Sequence, residues 1–339
     1  MRTLSLTTAA CLLLSGAIAF TQGPPPPPDA VPAAGATVGF MHAIHATNQV
    51  DKTLAFYTEV FGLKGQITPF QNEQVPILTD SPGVILRISM LRLPGNGFGF
   101  ELTEFSNVAR TPAQPAISDP GAPHMKFLVR DIEPVVAAVK KLGTPILTTS
   151  KAPVTVTTSL GTVRAIFFRD PDGYIVEAIQ ATPTADAPAE GNVLGSIMGV
   201  TIGDLDASSK FWHDIMGLDL KGDRQFSTDK AHLDLMGIAS GGSFRTMTSV
   251  IPGSRARIEF TEFKGMPRKP FSLRVPDPGS SGMAIRVAAI QELLPRLKAS
   301  GIRVISRNGE LVNWDAKTRN VFVKDPDGLN IELVGTVAQ

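Results

Sequence analysis

The chain repeats itself. "DPDGYIVEA" at residues 170–178 returns as "DPDGLNIEL" at 325–333, an offset of 325 − 170 = 155. "DKTLAFYTEVFGLKG" (51–65) returns as "DASSKFWHDIMGLDLKG" (206–222), with Phe56 and Phe211 again 155 apart. "FGFELTEF" (98–105) returns as "ARIEFTEF" (256–263). Here Glu101 and Glu259 are 158 apart, so the second copy carries a net three-residue insertion before that strand. Self-similarity at this period calls for two copies of one fold, in keeping with a length of 339 residues. The modules span residues 37–182 and 193–339, and a polar, Ala/Pro-rich linker covers 183–192.

Each module also contains two similar halves. In the first, residues 39–47 alternate like a strand, and 51–61 carry Leu54, Phe56, Tyr57, Val60 and Phe61 at helical spacing before Gly62. Residues 84–93 and 97–105 read as strands. The second half repeats the order: a strand at 123–129, a helix at 132–142 with Val135, Val136, Val139 and Leu142 on one stripe, then strands at 154–159, 163–169 and 174–179. The unit is βαβββ, used four times, which predicts an α+β fold. One helix covers one face of each curved sheet and leaves the other face concave, so each module should form a cup with its helices outside.

The charge balance, 32 basic against 31 acidic residues, gives no footprint for nucleic acid or an anionic membrane. Residues 1–19 read as an export signal: Arg2, a short apolar stretch, and Ala17-Ile18-Ala19 with small residues at the cleavage positions. Cys11 as a lipoprotein anchor is the weaker alternative, because the strongest apolar run follows it. Cleavage near Ala19 removes the single cysteine and with it thiol chemistry. The prolines of 20–36 then form a stiff polyproline II tether. A periplasmic or secreted protein with no membrane segment after signal removal is expected.

The motifs "HAIHATNQVDKTLAFY", "ELTEF", "PGAPHMKFLVRD" and "RDPDGYIVE", in this order and substantially echoed in the second copy, resemble the vicinal-oxygen-chelate superfamily. This group includes glyoxalase I, epimerases, bleomycin-resistance proteins and extradiol dioxygenases. The resemblance covers both modules. It implies metal ligands on the first and last strand of each half, which in module one are His42, Glu101, His124 and Glu177. Strand alternation is consistent with this. His124, Lys126 and Leu128 share the concave face while Met125, Phe127 and Val129 turn toward the helix. Ile175, Glu177 and Ile179 likewise oppose Val176 and Ala178. Phe98, Phe100 and Leu102 oppose Glu101. His45 competes with His42 for the first position; three residues apart, the two face opposite sides unless a bulge intervenes.

Two imidazoles and two carboxylates suit one divalent ion, Zn, Ni, Co, Mn or Fe, with open positions for a small-molecule substrate. The resemblance makes Glu177 the favoured base and Glu101 the second, in a glyoxalase- or epimerase-like lyase or isomerase. Lys126 is placed to touch an anionic substrate. An extradiol-type non-haem iron dioxygenase and a non-enzymatic small-molecule-binding protein are the alternatives. In module two the imidazole positions hold Ile197 and a glycine, Gly279 or Gly282, so that copy is expected to lack a complete site. A full quartet requires that both halves of module one share a cup, or that two copies of module one pair in a homodimer. The first arrangement, with the modules forming a pseudo-dimer within the chain, is favoured.

Overall fold

The computed structural model describes residues 35–336 apart from 96–97, 186 and 239–240. The expected export signal, Cys11 and nearly all of the proline tether lie outside the described residues. The first quarter contains β1 (Thr37–Thr47), α1 (Val50–Phe61), β2 (Ile67–Phe70), α2 (Val75–Leu78), β3 (Ile85–Arg92) and β4 (Gly99–Ser106). The second contains β5 (Pro123–Val129), α3 (Glu133–Lys141), β6 (Val154–Thr158), β7 (Gly161–Arg169) and β8 (Ile175–Gln180). The third contains β9 (Val193–Ile202), α4 (Leu205–Ser209) with a π-helical continuation at Lys210–Ile215, β10 (Lys221–Gly222), α5 (Lys230–Leu235), β11 (Ser243–Val250) and β12 (Arg257–Lys264). The fourth contains β13 (Ser281–Val287), α6 (Ile290–Ala299), β14 (Val312–Asn313), β15 (Thr318–Lys324) and β16 (Asn330–Thr336). The anticipated α+β units are present four times. α1 stops where expected, with Gly62 at φ 68° and its N–H returned to Thr58 O.

The strands form two eight-stranded sheets, ordered β14-β15-β16-β13-β1-β4-β3-β2 and β10-β11-β12-β9-β5-β8-β7-β6. Each sheet joins one half of module one to the opposite half of module two. β1 runs antiparallel to β13, and β5 antiparallel to β9. The favoured arrangement, with both halves of module one in one cup, is therefore corrected: the halves are exchanged. The repeated sequence explains why exchange costs nothing locally, since β13 presents β1 with the same backbone edge that β5 would present.

The helix-facing sides of both sheets pack into one shared core. Phe100 and Leu102, Met125, Phe127 and Val129, and Val176 and Ala178 all lie in it, as alternation predicts. The opposite faces form two separate apolar cups, one lined by Ile44, Ala46, Leu86, Phe105 and Phe322, the other by Phe167, Ile175, Ile179 and Val163. A bulge between Phe40 and His42 reverses the alternation of β1, so that Phe40 packs on the shared core and His42 faces the first cup.

The two DPDG turns clamp each module's halves together across the sheets. Asp170 Oδ1 accepts from the N–H groups of Asp172 and Tyr174, both at 2.9 Å, and Oδ2 meets His45 Nε2 at 2.8 Å and the Tyr57 hydroxyl at 3.2 Å. Asp172 accepts from Asn48 N and Thr53 Oγ1 at 2.7 and 2.6 Å. The second turn repeats this 155 residues on: Asp327 accepts from Gly203 N and Ser208 Oγ, both at 2.7 Å. However, His45 and Tyr57 correspond to Val200 and Trp212, so Asp325 Oδ2 is buried without a hydrogen-bond partner, and so is Trp212 Nε1. Burial, with repulsion from Asp327, pushes the Asp325 carboxyl up to about 7.

A carboxyl raised in the fold binds more protons folded than unfolded between its ordinary value near 4 and about 7, so its presence erodes stability as pH rises through that window. Asp325→Asn keeps an acceptor for Asp327 and Leu329 while removing the charge. It should stabilise the protein by about 2–4 kcal/mol at pH 8, with the gain shrinking steadily toward pH 4. Denaturant unfolding across that pH range checks this; an equal gain at all pH values would contradict it.

Candidate metal centre

The first cup gathers three of the ligand types anticipated, from both modules. His42 Nε2 lies 3.5 Å from Glu101 Oε2, with both side chains about one-sixth exposed. Glu332 of β16 joins them, close enough for its charge to feel both groups. Its carboxyl is raised by burial, a shift that His42 opposes and Glu101 reinforces. One oxygen of each carboxylate is held from behind: Thr103 Oγ1 donates to Glu101 Oε1 at 2.6 Å, and Asn320 Nδ2 to Glu332 Oε1 at 2.7 Å. The register places Gly282 opposite Ile44 and Ala284 opposite His42, so the β13 residues directly opposite those two positions offer no donor atom.

The second cup holds the remainder. In sheet register, His124 faces Gly199 and Lys126 faces both Ile197 and Glu177, while Glu259 lies beside Gly199 on β12. The Lys126 ammonium sits 2.8 Å from Glu177 Oε2 and 2.5 Å from Glu259 Oε1. Burial works against its charge, but the two carboxylates outweigh burial and hold it well above the ordinary lysine range. Burial, with the Lys126 charge, drives His124 well below the ordinary histidine range, so the ring is neutral. Its seat depends on a glycine: a Cβ at position 199 would stand 1.9 Å from His124 Nε2.

The expected quartet is thus divided. His42 and Glu101 share one cup with Glu332; His124 and Glu177 share the other with Glu259. Lys126, expected to meet an anionic substrate, is buried and committed to Glu177 and Glu259. His232 lies on α5 over the second cup. It contacts Phe244, its Nδ1 is 2.7 Å from Asp229 Oδ1, and it is close enough for its charge to act on Glu177. The signal for α5 is slight: a capping Asp229 before six helical residues, too few for a periodicity.

A third cluster lies on the helix side. His45, Asp170 and Asp172 each place a donor atom within 4.8 Å of the others, a geometry able to hold a metal ion. Here the imidazole already supplies positive charge. Burial lowers its pKa, yet the charge and hydrogen bond of Asp170, helped by Asp172, leave it above the ordinary value. The imidazole is stacked on Tyr174 and fully buried, and the two carboxylates are nearly so. His45 thus faces the side opposite to His42, as the alternation of β1 predicts.

The sequence model of the "Glyoxalase/Bleomycin resistance protein/Dioxygenase superfamily" matches residues 39–178 and again 194–333. The chain belongs to this superfamily. Among similar proteins, the lactoylglutathione lyase GLX1 of Arabidopsis thaliana is 26% identical over 300 residues, covering 87% of this chain and 90% of its own. A lactoylglutathione lyase of Oryza sativa subsp. japonica is 24% identical over 296 residues, covering 87% and 88%. The crystal structure of glyoxalase I from Zea mays shares the superfamily fold, with a TM-score of 0.55 at 20% identity over 87% of this chain and 92% of that one. No helix among the described residues is long and apolar enough to cross a membrane.

The His45–Asp170 pair yields a prediction with a pH signature. An imidazole raised in the fold contributes stability that is complete below its ordinary value of 6.5 and is lost as pH rises through the raised value. Asp170→Asn should therefore cost about 3–5 kcal/mol at pH 6, the scale for breaking a buried pair, and clearly less at pH 9. Urea unfolding at the two pH values measures the difference, and an equal cost at both would refute a charged His45.

Proposed function

We propose that the protein is a divalent-metal-dependent lyase or isomerase of the glyoxalase type, with one working site in the first cup. The observation that carries this reading is the cluster of His42, Glu101 and Glu332, in which the residue opposite His42 and Glu332 is Ala284 and not a lysine. The donor types suit a divalent ion: one imidazole and two carboxylates, each carboxylate braced by a hydrogen bond to its far oxygen. His42, Glu101 and Glu332 would hold the ion, which when bound would supply a Lewis acid for adjacent oxygens of a small substrate. One imidazole with two carboxylates departs from the two-His, one-carboxylate set of non-haem iron oxygenases, which weakens the dioxygenase alternative.

Glu332 takes the place in this cup that Glu177 was expected to take. Its carboxyl is raised by burial, so it is suited to accept a proton from a substrate carbon next to a carbonyl and to return it to the neighbouring carbon. Asn320 fixes its orientation through Oε1 and leaves Oε2 for this work. Glu101, beside His42, is the second carboxylate able to shuttle the proton. The apolar wall of Ile44, Phe105 and Phe322 keeps water from the reacting carbons. The curated relatives are named for lactoylglutathione. If the chain is exported as its first residues suggest, its own substrate is another small α-oxygenated carbonyl compound.

Metal analysis distinguishes this site from the quartet. The wild type and His124→Ala should each retain about one divalent ion per chain after gel filtration, and His42→Ala should lose it. Loss from His124→Ala with retention in His42→Ala would overturn the assignment. With lactoylglutathione and other α-hydroxy carbonyl compounds as probes, Glu332→Gln should lower kcat by about 10²–10⁴-fold, the usual worth of a general base. An unchanged kcat would remove Glu332 from the chemistry.

A further inference from the structure

We propose that Lys126 stands where a divalent cation would otherwise stand in the second cup, and that His124, Glu177 and Glu259 form a latent metal-binding set which this side chain keeps closed. The register makes the two cups superimposable position by position. Glu101 lies beside Ile44 in the first cup and Glu259 beside Gly199 in the second; Glu332 pairs with Ala284 and Glu177 with Lys126. Each cup therefore keeps both carboxylates and one imidazole. The first keeps His42 and has Gly282 where the second has His124; the second keeps His124 and has Ile197 where the first has His42.

What differs is the residue facing the carboxylates. In the first cup it is Ala284, which reaches nothing. In the second it is Lys126, whose ammonium lies between Glu177 Oε2 and Glu259 Oε1 at 2.8 and 2.5 Å. Two carboxylates on a mostly apolar face require a positive charge between them, and either a metal ion or an ammonium meets that requirement. His124 shows what the ammonium cannot do. It is 2% exposed, and its Nδ1 has no hydrogen-bond partner. Its Nδ1 takes no hydrogen bond from the ammonium, and a neutral imidazole with an uncommitted nitrogen is a ligand for a metal ion. The inference does not depend on the first cup being catalytic, because it concerns residues of the second alone.

The test uses full-length chains carrying His42→Ala, so that the first cup is removed from the count, stripped by chelator and titrated with Co(II) alone. With Lys126 present, no ion sensitive to His124 should bind. Adding Lys126→Ala should bring about one extra Co(II) per chain, at least about tenfold tighter binding, a visible Co(II) absorption band, and a thermal midpoint that rises with Co(II). Adding His124→Ala to that chain should abolish all four. No gain on removing Lys126 while the circular dichroism stays native would overturn the proposal, as would a gain that survives loss of His124. Failure of both Lys126→Ala and Lys126→Gln chains to fold even when refolded with Co(II) would equally overturn it, since a restored site would replace the missing charge.

Discussion

The backbone ladder between β1 and β13, with its counterpart between β5 and β9, decides every other property of this molecule. A strand pairing fixes which side chains share a face, because successive residues alternate and a neighbour's residues come opposite in strict register. Joining β1 to β13 brings His42 and Glu101 to Glu332. Joining β5 to β9 brings His124 and Glu177 to Glu259. The same residues in the alternative pairing would have formed one quartet and one cup with two carboxylates and no imidazole. Exchange instead gives two cups of equal composition, one imidazole and two carboxylates each.

Much of this was legible beforehand, for reasons that particular residues show. Met125, Phe127 and Val129 announced the helix-facing side of β5, and so left His124 and Lys126 to the concave side. Gly62 marked the end of α1 because only a residue at ease with positive φ closes that turn. The choice of sheet partner was not legible. β1 meets either β5 or β13 with the same antiparallel edge, and local pattern carries no information about which of two near-identical strands is taken. The small helices α2 and α5 were missed because four and six residues cannot display a period of 3.6.

The repeated DPDG phrase proves to be a joint rather than a site. Exchange places the two halves of each module on different sheets, and these turns tie them back together: Asp170 and Asp172 onto β1, Asn48 and α1, Asp327 onto Gly203 after β9 and Ser208 of α4. The joint was elaborated in one copy only. His45 and Tyr57 satisfy Asp170, while Val200 and Trp212 leave Asp325 short of a partner, with the raised pKa that burial of an uncompensated carboxylate entails. The backbone bonds of the turn are common to both copies, so the fold tolerates the difference at a cost in stability.

Charge compensation explains why two cups of like composition need not behave alike. Each holds a pair of carboxylates on a mostly apolar face, and neither pair is stable as two bare anions. Lys126 neutralises the second pair from within, permanently, because those carboxylates raise the lysine's own proton affinity. The first pair has only Ala284 opposite, and its remaining neighbour, His42, is a donor set at the rim of a space. On the proposed reading, the cation for that cup comes from solution, together with the oxygen ligands that complete its coordination. An internal cation makes a wall; an external one makes a site. A single side chain, lysine against alanine at matching positions of β5 and β13, is sufficient to assign the two roles.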